Sequence, residues 1–187
     1  FYKKCYYVIT EILSEKQEKE MQYMSNLEFA GKSVVITGAA AGMGKAITVK
    51  FLKNGATVVA VDINKSALDE LDRELKEKYP EDIVKNFIPF VGDVSKQEVN
   101  EEMIAKAVSA TGEINVLVNN AGVAGHSEPI TETTNEDWNR IININLNGPM
   151  YAIRAAVNQM LRQENGGSIV TIASVAGIKG CRSSVAY

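Results

Sequence analysis

The sequence predicts a doubly wound α/β domain, in which helices cover both faces of a parallel β-sheet. Segments typical of strands and of helices alternate four times between residues 33 and 173. The strand segments are runs rich in valine and isoleucine, without the polar alternation of a strand that faces water on one side. Strands separated by helices pair in parallel, because each crossover returns the chain to the same end of the sheet.

The individual elements follow from hydrophobic period and from stop signals. The run SVVIT at 33–37 is β-branched and leads into a glycine-rich turn, which is typical of a buried strand. In the second helix Leu68, Leu71 and Leu75 recur at intervals of three and four residues. Pro80 then ends that pattern.

The last predicted helix is unusually long, and it contains Gly148 and Pro149, which we expect to break or kink it. The predicted strands are 33–37, 57–61, 86–91, 115–118 and 167–173, and the predicted helices run from 43 to 54, 65 to 78, 97 to 110 and 135 to 163.

The composition is that of an ordinary globular protein. The 187 residues fit the usual size of one domain, with 45% hydrophobic and 23% charged residues. Lysine and arginine number 20 against 23 acids, and this net charge of −3 offers no basic surplus for a nucleic-acid partner. Two cysteines, without metal-site spacing around them, predict a reducing, cytoplasmic setting and no metal. The apolar runs are far shorter than the roughly 18 residues of a membrane span, so no membrane partner is expected.

The first 26 residues differ from the rest of the chain. Scattered aromatic residues and the charged run SEKQEKE at 14–20 give neither a strand pattern nor an apolar helix face. We expect residues 1–26 to form a mobile extension and residues 27–187 to form the domain. The chain begins with Phe1, and Met24 is a candidate native start.

A glycine-rich turn, TGAAAGMG at 37–44, joins the first strand to the first helix. Glycines let the backbone approach a pyrophosphate, whose charge is favourable at a helix N-terminus. Asp62 ends the second strand, 18 residues past Gly44, where a carboxylate accepts hydrogen bonds from the hydroxyls of an adenine ribose. The acid would repel the 2′-phosphate of NADP, and Ala41 offers it no positive charge, so NAD is the predicted cofactor. The alternative is a tight helix–strand junction with a solvated aspartate.

Five groups of residues together resemble the short-chain dehydrogenase/reductase family over residues 27–187. The resemblance implies a Rossmann-like fold and an NAD-dependent oxidoreductase that interconverts a small-molecule secondary alcohol and a ketone. It also implies a homo-oligomer, a dimer or a tetramer, for the full-length protein. The five groups are the turn at 37–44, Asp93 with Val94 after strand three, the run NNAG at 119–122, Asn145, and Ser174 with Tyr187.

The resemblance assigns cofactor binding to one set of residues. Asp93 would reach the adenine amino group and Val94 would pack near the ring, although Asp93 by itself is explained equally well as an acid ahead of a helix N-terminus. Small residues after the fourth strand would permit a close approach to the ribose and the nicotinamide. The implied cofactor-binding residues are Gly38, Ala40, Gly42, Met43, Gly44, Asp62, Asp93, Val94, Asn120, Ala121 and Gly122.

The implied catalytic residues are Asn145, Ser174 and Tyr187, the last two separated by the family's spacing of 13 residues. Tyr187 resembles the general acid/base, Ser174 would hydrogen-bond the substrate oxygen, and Asn145 would hold a water in a proton relay. Taken singly, Ser174 is an ordinary strand-end hydroxyl and Asn145 a helix-kink residue. His126, the one histidine, is expected to be a bystander.

A phenol titrates near ~10, so proton transfer at neutral pH needs a nearby positive charge. In the family a lysine four residues after the tyrosine supplies it, and this chain stops at Tyr187. The resemblance therefore predicts that the C-terminal strands are missing and that the chain is inactive or weak. The alternatives are a non-catalytic NAD-binding fragment and a partial sequence of such an enzyme.

Overall fold

A computed structural model of the protein describes residues 27–126, 129–179 and 185–187. The predicted extension at 1–26 lies outside the described residues, as does Cys181. The described elements are β1 (Ser33–Thr37), α1 (Gly42–Lys53), β2 (Thr57–Asp62), α2 (Lys65–Lys78), α3 (Glu81–Val84), β3 (Phe87–Val91), α4 (Gln97–Thr111), β4 (Val116–Asn119), α5 (Asn135–Ile142), a π-helical turn (Asn143–Asn147), α6 (Gly148–Met160), β5 (Ser168–Thr171) and a 3₁₀ turn (Val175–Gly177).

The described strands form one parallel sheet in the order β3-β2-β1-β4-β5. β1 is central, and its Val35 is paired with Val59 of β2 and with Leu117 of β4. The chain first moves outward from β1 to β3 and then crosses over to β4. Because the loops after β1 and β4 lead in opposite directions, they leave a crevice at the carboxyl edge of the sheet. The predicted doubly wound parallel fold is confirmed.

Helices cover both faces of the sheet, as predicted. Val34 and Ile36 point to one face, where they pack with leucines of α1 and α2 such as Leu71. Val35 points to the other face and packs with residues of α4 and α6 such as Met103. This division follows from the alternation of side chains along a strand, and it makes all of β1 buried.

The two edge strands are less covered than the central ones. The runs of β-branched residues predict burial equally for all strands, and β1, β2 and β4 follow that prediction. In β5, however, Val170 is 48% exposed. In β3, Pro89 is exposed, at a position that an edge strand tolerates because one side of its backbone forms no ladder bonds. The burial of a strand depends on whether it lies at the centre or at the edge of the sheet, and the local sequence does not indicate this.

The predicted long helix is divided into three consecutive pieces. The π-helical turn separates α5 from α6, and the N–H of Gly148 bonds to the carbonyl of Asn143, five residues back. Pro149 lacks an N–H and lies in the first turn of α6, where none is needed. A Cβ at Gly148 would lie 2.9 Å from the carbonyl oxygen of Val94, so glycine lets α6 begin against the loop after β3. The expected break is present as a π-helical turn.

The four-residue helix α3 was not predicted, since one helical turn is too short to show a period. Most other element ends lie within two residues of the predicted ones, as is usual where helices fray, and α6 ends at Met160, three residues before the predicted end at 163. In the part of the chain that the structure describes, no helix combines the length and the apolar character that crossing a membrane requires.

Glu74 on α2 forms ion pairs with Lys45 on α1 and Lys78 on its own helix. These hydrogen bonds lower the pKa of Glu74 from 4.5 to about 2. Because the pKa of Glu74 is lower in the folded protein than in the unfolded chain, its ion pairs add to folding stability at pH values above about 4.5. This contribution is lost as the pH falls from about 4.5 towards 2. We expect Glu74→Gln to be less stable than the parent near neutral pH, with a difference that closes in acid.

Denaturant unfolding at a series of pH values measures this difference. Glu70→Gln, which removes an exposed carboxylate on the same helix, is the control and should show no closing gap. A pH-independent difference for Glu74→Gln would contradict the assignment.

Candidate dinucleotide site

The glycine turn places open backbone N–H groups at the start of α1. Gly38 and Gly42 have φ of 63° and 51°, the left-handed region that glycine adopts without strain. Ala41 is the N-cap of α1 and supplies no side-chain hydrogen bond, and no acid lies in the first helical turn. The first N–H groups of the helix therefore lack side-chain partners, which is the arrangement that favours a bound anion. Met43, in this turn, is 62% exposed.

Gly44 brings α1 against the turn that precedes it. A Cβ on Gly44 would lie 1.9 Å from the carbonyl oxygen of Gly38 and 2.7 Å from Nδ2 of Asn120. Only a residue without a side chain fits between helix, turn and the loop after β4. A Cβ on Gly42, by contrast, would meet no atom within 4 Å, so a ligand could approach the backbone there.

Asp62 joins the end of β2 to the glycine turn. Its Oδ2 accepts a hydrogen bond of 3.0 Å from the N–H of Ala40, and its Oδ1 accepts one of 3.0 Å from the N–H of Asn64. The residue is half-buried, so its carboxylate is not merely solvated at a strand end. Each oxygen retains acceptor capacity for a further hydrogen bond, as binding of ribose hydroxyls requires.

Thr37 joins the loop after β1 to the loop after β4. Its hydroxyl oxygen accepts hydrogen bonds from the N–H groups of Asn120, at 3.1 Å, and of Ala121, at 3.0 Å. Asn120 in turn donates from Nδ2 to the carbonyls of Thr37, at 2.9 Å, and Gly38, at 3.1 Å. Thr37 begins the TGAAAGMG motif, but its role was not predicted, because the partners are 83 and 84 residues away in sequence.

Asp93 and Val94 form the loop after β3. The Asp93 carboxylate accepts a hydrogen bond of 2.9 Å from the N–H of Ser95. The N-cap of α4 is Lys96, so Asp93 stabilises the turn ahead of the helix instead of capping it. The carbonyl of Val94 accepts a hydrogen bond of 2.8 Å from Nδ2 of the buried Asn100, which fixes the height of this loop above the sheet.

These loops enclose a cavity of about 200 Å³ at the carboxyl edge of the sheet. The ten residues that line it come from the loops after β1, β2, β3 and β4 and from the π-helical turn. Six of them are among the eleven implied cofactor residues. The lining residues are Gly38, Asp62, Ile63, Gly92, Asp93, Val94, Ala121, Gly122, Val123 and Ile144.

The other five implied cofactor residues do not line this cavity. They lie in the loops after β1 and β4 and in the first turn of α1, and are Ala40, Gly42, Met43, Gly44 and Asn120. The sequence analysis missed four lining residues. Ile63, Gly92 and Val123 each neighbour a predicted residue in sequence, and that proximity was the available signal. Ile144 also neighbours a predicted residue, Asn145, but it lies 21 residues beyond Val123, and tertiary packing brings it to the cavity.

Asn145 lies in the π-helical turn and holds the loop after β4. Its Oδ1 accepts a hydrogen bond of 2.9 Å from the N–H of Val123, and its Nδ2 donates one of 2.8 Å to the carbonyl of the same residue. A paired contact of this kind fixes both position and orientation of the loop. The predicted water relay is not tested by this geometry and stays a prediction.

Ser174 and Tyr187 lie outside the residues that line the cavity. The Ser174 hydroxyl accepts a hydrogen bond of 3.2 Å from the N–H of Ala176 and caps the 3₁₀ turn after β5. Tyr187 is 46% exposed, and residues 180–184, between the two, lie outside the described residues. Among described residues, no group of three His, Cys, Asp or Glu side chains could hold a metal ion.

The contact of Gly44 with Gly38 gives a prediction. Gly44→Ala should destabilise the fold by about 1–3 kcal/mol, as overpacking in a tight site does, and should weaken dinucleotide binding because the turn must move. Denaturant unfolding and calorimetry with NAD measure the two effects. Gly177→Ala is the control, since a Cβ there meets nothing within 4 Å. A Gly44→Ala protein with parental stability would contradict the close approach.

Residues 32–187 match the protein family described as short chain dehydrogenase. The chain is 39% identical over 163 residues to 3beta-hydroxysteroid dehydrogenase 2 of Eggerthella lenta, an alignment that covers 87% of this chain and 60% of the relative. It is 42% identical over 150 residues to L-rhamnose-1-dehydrogenase of Scheffersomyces stipitis, with 80% of this chain and 57% of the relative covered.

Solved structures give the same result. A short chain dehydrogenase from Mycobacterium smegmatis superposes with a TM-score of 0.77 at 33% identity, covering 87% of this chain and 66% of that one. NAD⁺-bound xylitol dehydrogenase superposes with a TM-score of 0.72 at 29% identity, covering 82% and 57%. The chain spans about three fifths of the length of the curated relatives it matches. Its sequence and its fold together show that the chain belongs to the short-chain dehydrogenase/reductase family.

Proposed function

We propose that the protein is an NAD-dependent oxidoreductase that interconverts a secondary alcohol and a ketone by hydride transfer. The observation that carries the proposal is the Asp62 carboxylate, which is bonded to the glycine turn and lines the cavity formed by the loops at the carboxyl edge. A carboxylate at this place is positioned to accept hydrogen bonds from both hydroxyls of an adenine ribose. The open N–H groups of α1 and the space beside Gly42 fit a pyrophosphate.

The charges around the cavity support NAD over NADP. Among the described residues that line it are two carboxylates, Asp62 and Asp93, and no basic side chain. A 2′-phosphate on the ribose would be placed against negative charge without a compensating cation. The homologous xylitol dehydrogenase structure contains NAD⁺, which agrees with this preference.

The chemistry follows from the roles of the chain's own residues. NAD, when bound, would be the acceptor of the hydride that leaves the alcohol carbon. Ser174 hydrogen-bonds the substrate oxygen. Tyr187 takes the hydroxyl proton from the alcohol, or returns it to the ketone oxygen in the reverse reaction. Asn145 holds the loop after β4 by its two hydrogen bonds to Val123. In this loop the small residues Ala121 and Gly122 would leave room for the nicotinamide to approach the backbone closely.

The substrate is proposed only as a class. Over the aligned residues the two relatives are 39% and 42% identical to this chain, yet one is named for a steroid and the other for a sugar. The shared residues therefore do not determine the substrate. We propose a homo-oligomer, a dimer or tetramer, as the working assembly; exposed apolar residues on the π-helical turn and α6, such as Leu146 and Met150, support it.

The cofactor preference is tested by calorimetry with NAD and NADP. We expect the parent to bind NAD at least about tenfold more tightly, a difference of about 1.4 kcal/mol. Asp62→Asn removes the charge and keeps one acceptor oxygen, so the preference should fall to within a few-fold. Asp69→Asn removes the same charge from an exposed pair with Lys65 and is the matched control. Equal binding of NAD and NADP by the parent would overturn the NAD assignment.

The catalytic roles are tested by steady-state kinetics with a panel of secondary alcohols and ketones. Tyr187→Phe and Ser174→Ala should each lower kcat/KM by about 10²–10⁴-fold while the Kd for NAD stays unchanged. The assay uses this chain and, where the reading frame continues past Tyr187, the longer product. NAD binding without turnover in either protein would favour the second candidate, a nucleotide-binding module without chemistry.

A further inference from the structure

The segment 122–126, here called the β4 loop, forms one wall of the cavity through Gly122 and Val123. Asn145 holds the loop at Val123 by two hydrogen bonds. The next residues of the loop lie against the first turns of α5, where a second set of polar contacts is found.

Asp137 is the third residue of α5, and its N–H donates to the hydroxyl of the N-cap Thr134 at 3.1 Å. An acid at this position commonly closes a capping box by accepting from the N-cap N–H. Here the carboxylate accepts instead from Arg140, at 3.2 Å from Nε and 2.7 Å from Nη2. Two donors on one oxygen hold the guanidinium in a defined orientation.

Arg140 uses the same Nη2 to reach the β4 loop, where it donates to the carbonyl of Ala124 at 3.4 Å. The second oxygen of Asp137 is buried from solvent. It faces the imidazole of His126, whose Nδ1 is 3.8 Å away. The carboxylate therefore lies between its own helix and the loop, with a group from each beside it.

The burial of Asp137 distinguishes it from other carboxylates of the chain that pair within a helix. Its side chain is 12% exposed, whereas Asp72, paired with Lys76 on α2, is 31% exposed. The hydrogen bonds from Arg140 lower the pKa of Asp137, so it is charged at neutral pH. A buried carboxylate is costly unless it is paired, and here its partner Arg140 also reaches the β4 loop.

We propose that Asp137 is a positioning residue for the cofactor site, which fixes the β4 loop as a wall of the cavity by orienting Arg140 towards Ala124. Asn145 in the π-helical turn then holds Val123, and Arg140 in α5 holds Ala124. The role of this wall in dinucleotide binding rests on the proposed function, whereas the contact of Arg140 with Ala124 does not.

Hydrogen exchange on the unliganded protein tests the contact alone. Asp137→Asn should accelerate exchange several-fold in the peptide that covers 122–126, with little change in the β-sheet. Asp72→Asn is the matched control, because it breaks an ion pair of the same kind on α2 and should leave that peptide unchanged. Unchanged exchange in Asp137→Asn, or equal acceleration throughout the molecule, would overturn the proposal.

Titration with NADH, read by its own fluorescence, tests the effect on the site. We expect Asp137→Asn to raise the Kd by about threefold to tenfold, and Arg140→Gln to do the same. If Asp137 acts through Arg140, the double variant should bind no more weakly than either single variant. Additive effects would show that Asp137 acts independently of Arg140 and would overturn the proposed positioning.

The two experiments separate this inference from the proposed function. Failure of the parent to bind NADH would remove the proposed cofactor, while faster exchange in Asp137→Asn would still support the contact. Normal NADH binding by the parent with unaltered exchange in Asp137→Asn would leave the proposed function standing and remove the positioning role.

Discussion

The close approach of α1 to the glycine turn is the constraint on which the rest of the site depends. Because Gly44 has no side chain, the helix begins directly against the carbonyl of Gly38. Asp62 can then reach the N–H of Ala40 from the end of β2, and Asn120 can reach Gly38 from the end of β4. One missing Cβ thus brings together loops from three neighbouring strands, and it leaves the first N–H groups of α1 facing the crevice.

A second common feature is that polar side chains tie each loop at the carboxyl edge to a neighbour. Thr37, Asp62 and Asn145 each bond to backbone groups far away in sequence. Backbone groups in loops must find partners somewhere, and here they find them across the site. Loops held in this way form a preorganised wall, which lowers the entropy cost of binding. The acidic lining adds a charge preference to the shape.

The fold was predictable to the extent that its signals are local. The runs of valine and isoleucine predicted β1, β2 and β4, and the leucine period of α2 predicted its bounds to the residue. The helix α3 has too few residues to show a period. The exposure of Val170 in β5 depends on what lies beside that strand, and no local pattern reports a strand's place in a sheet.

The sequence by itself determined the alternation of elements, the glycine turn, the acid that follows it and the membership of a family, because each is written in residue type and spacing. Only the tertiary structure decided which of those residues share a cavity, and it added Ile63, Gly92, Val123 and Ile144 to them. It also turned Asn145 towards Val123 and Arg140 towards Ala124. These two contacts join residues 22 and 16 positions apart, and their geometry is determined when the sheet and the helices pack.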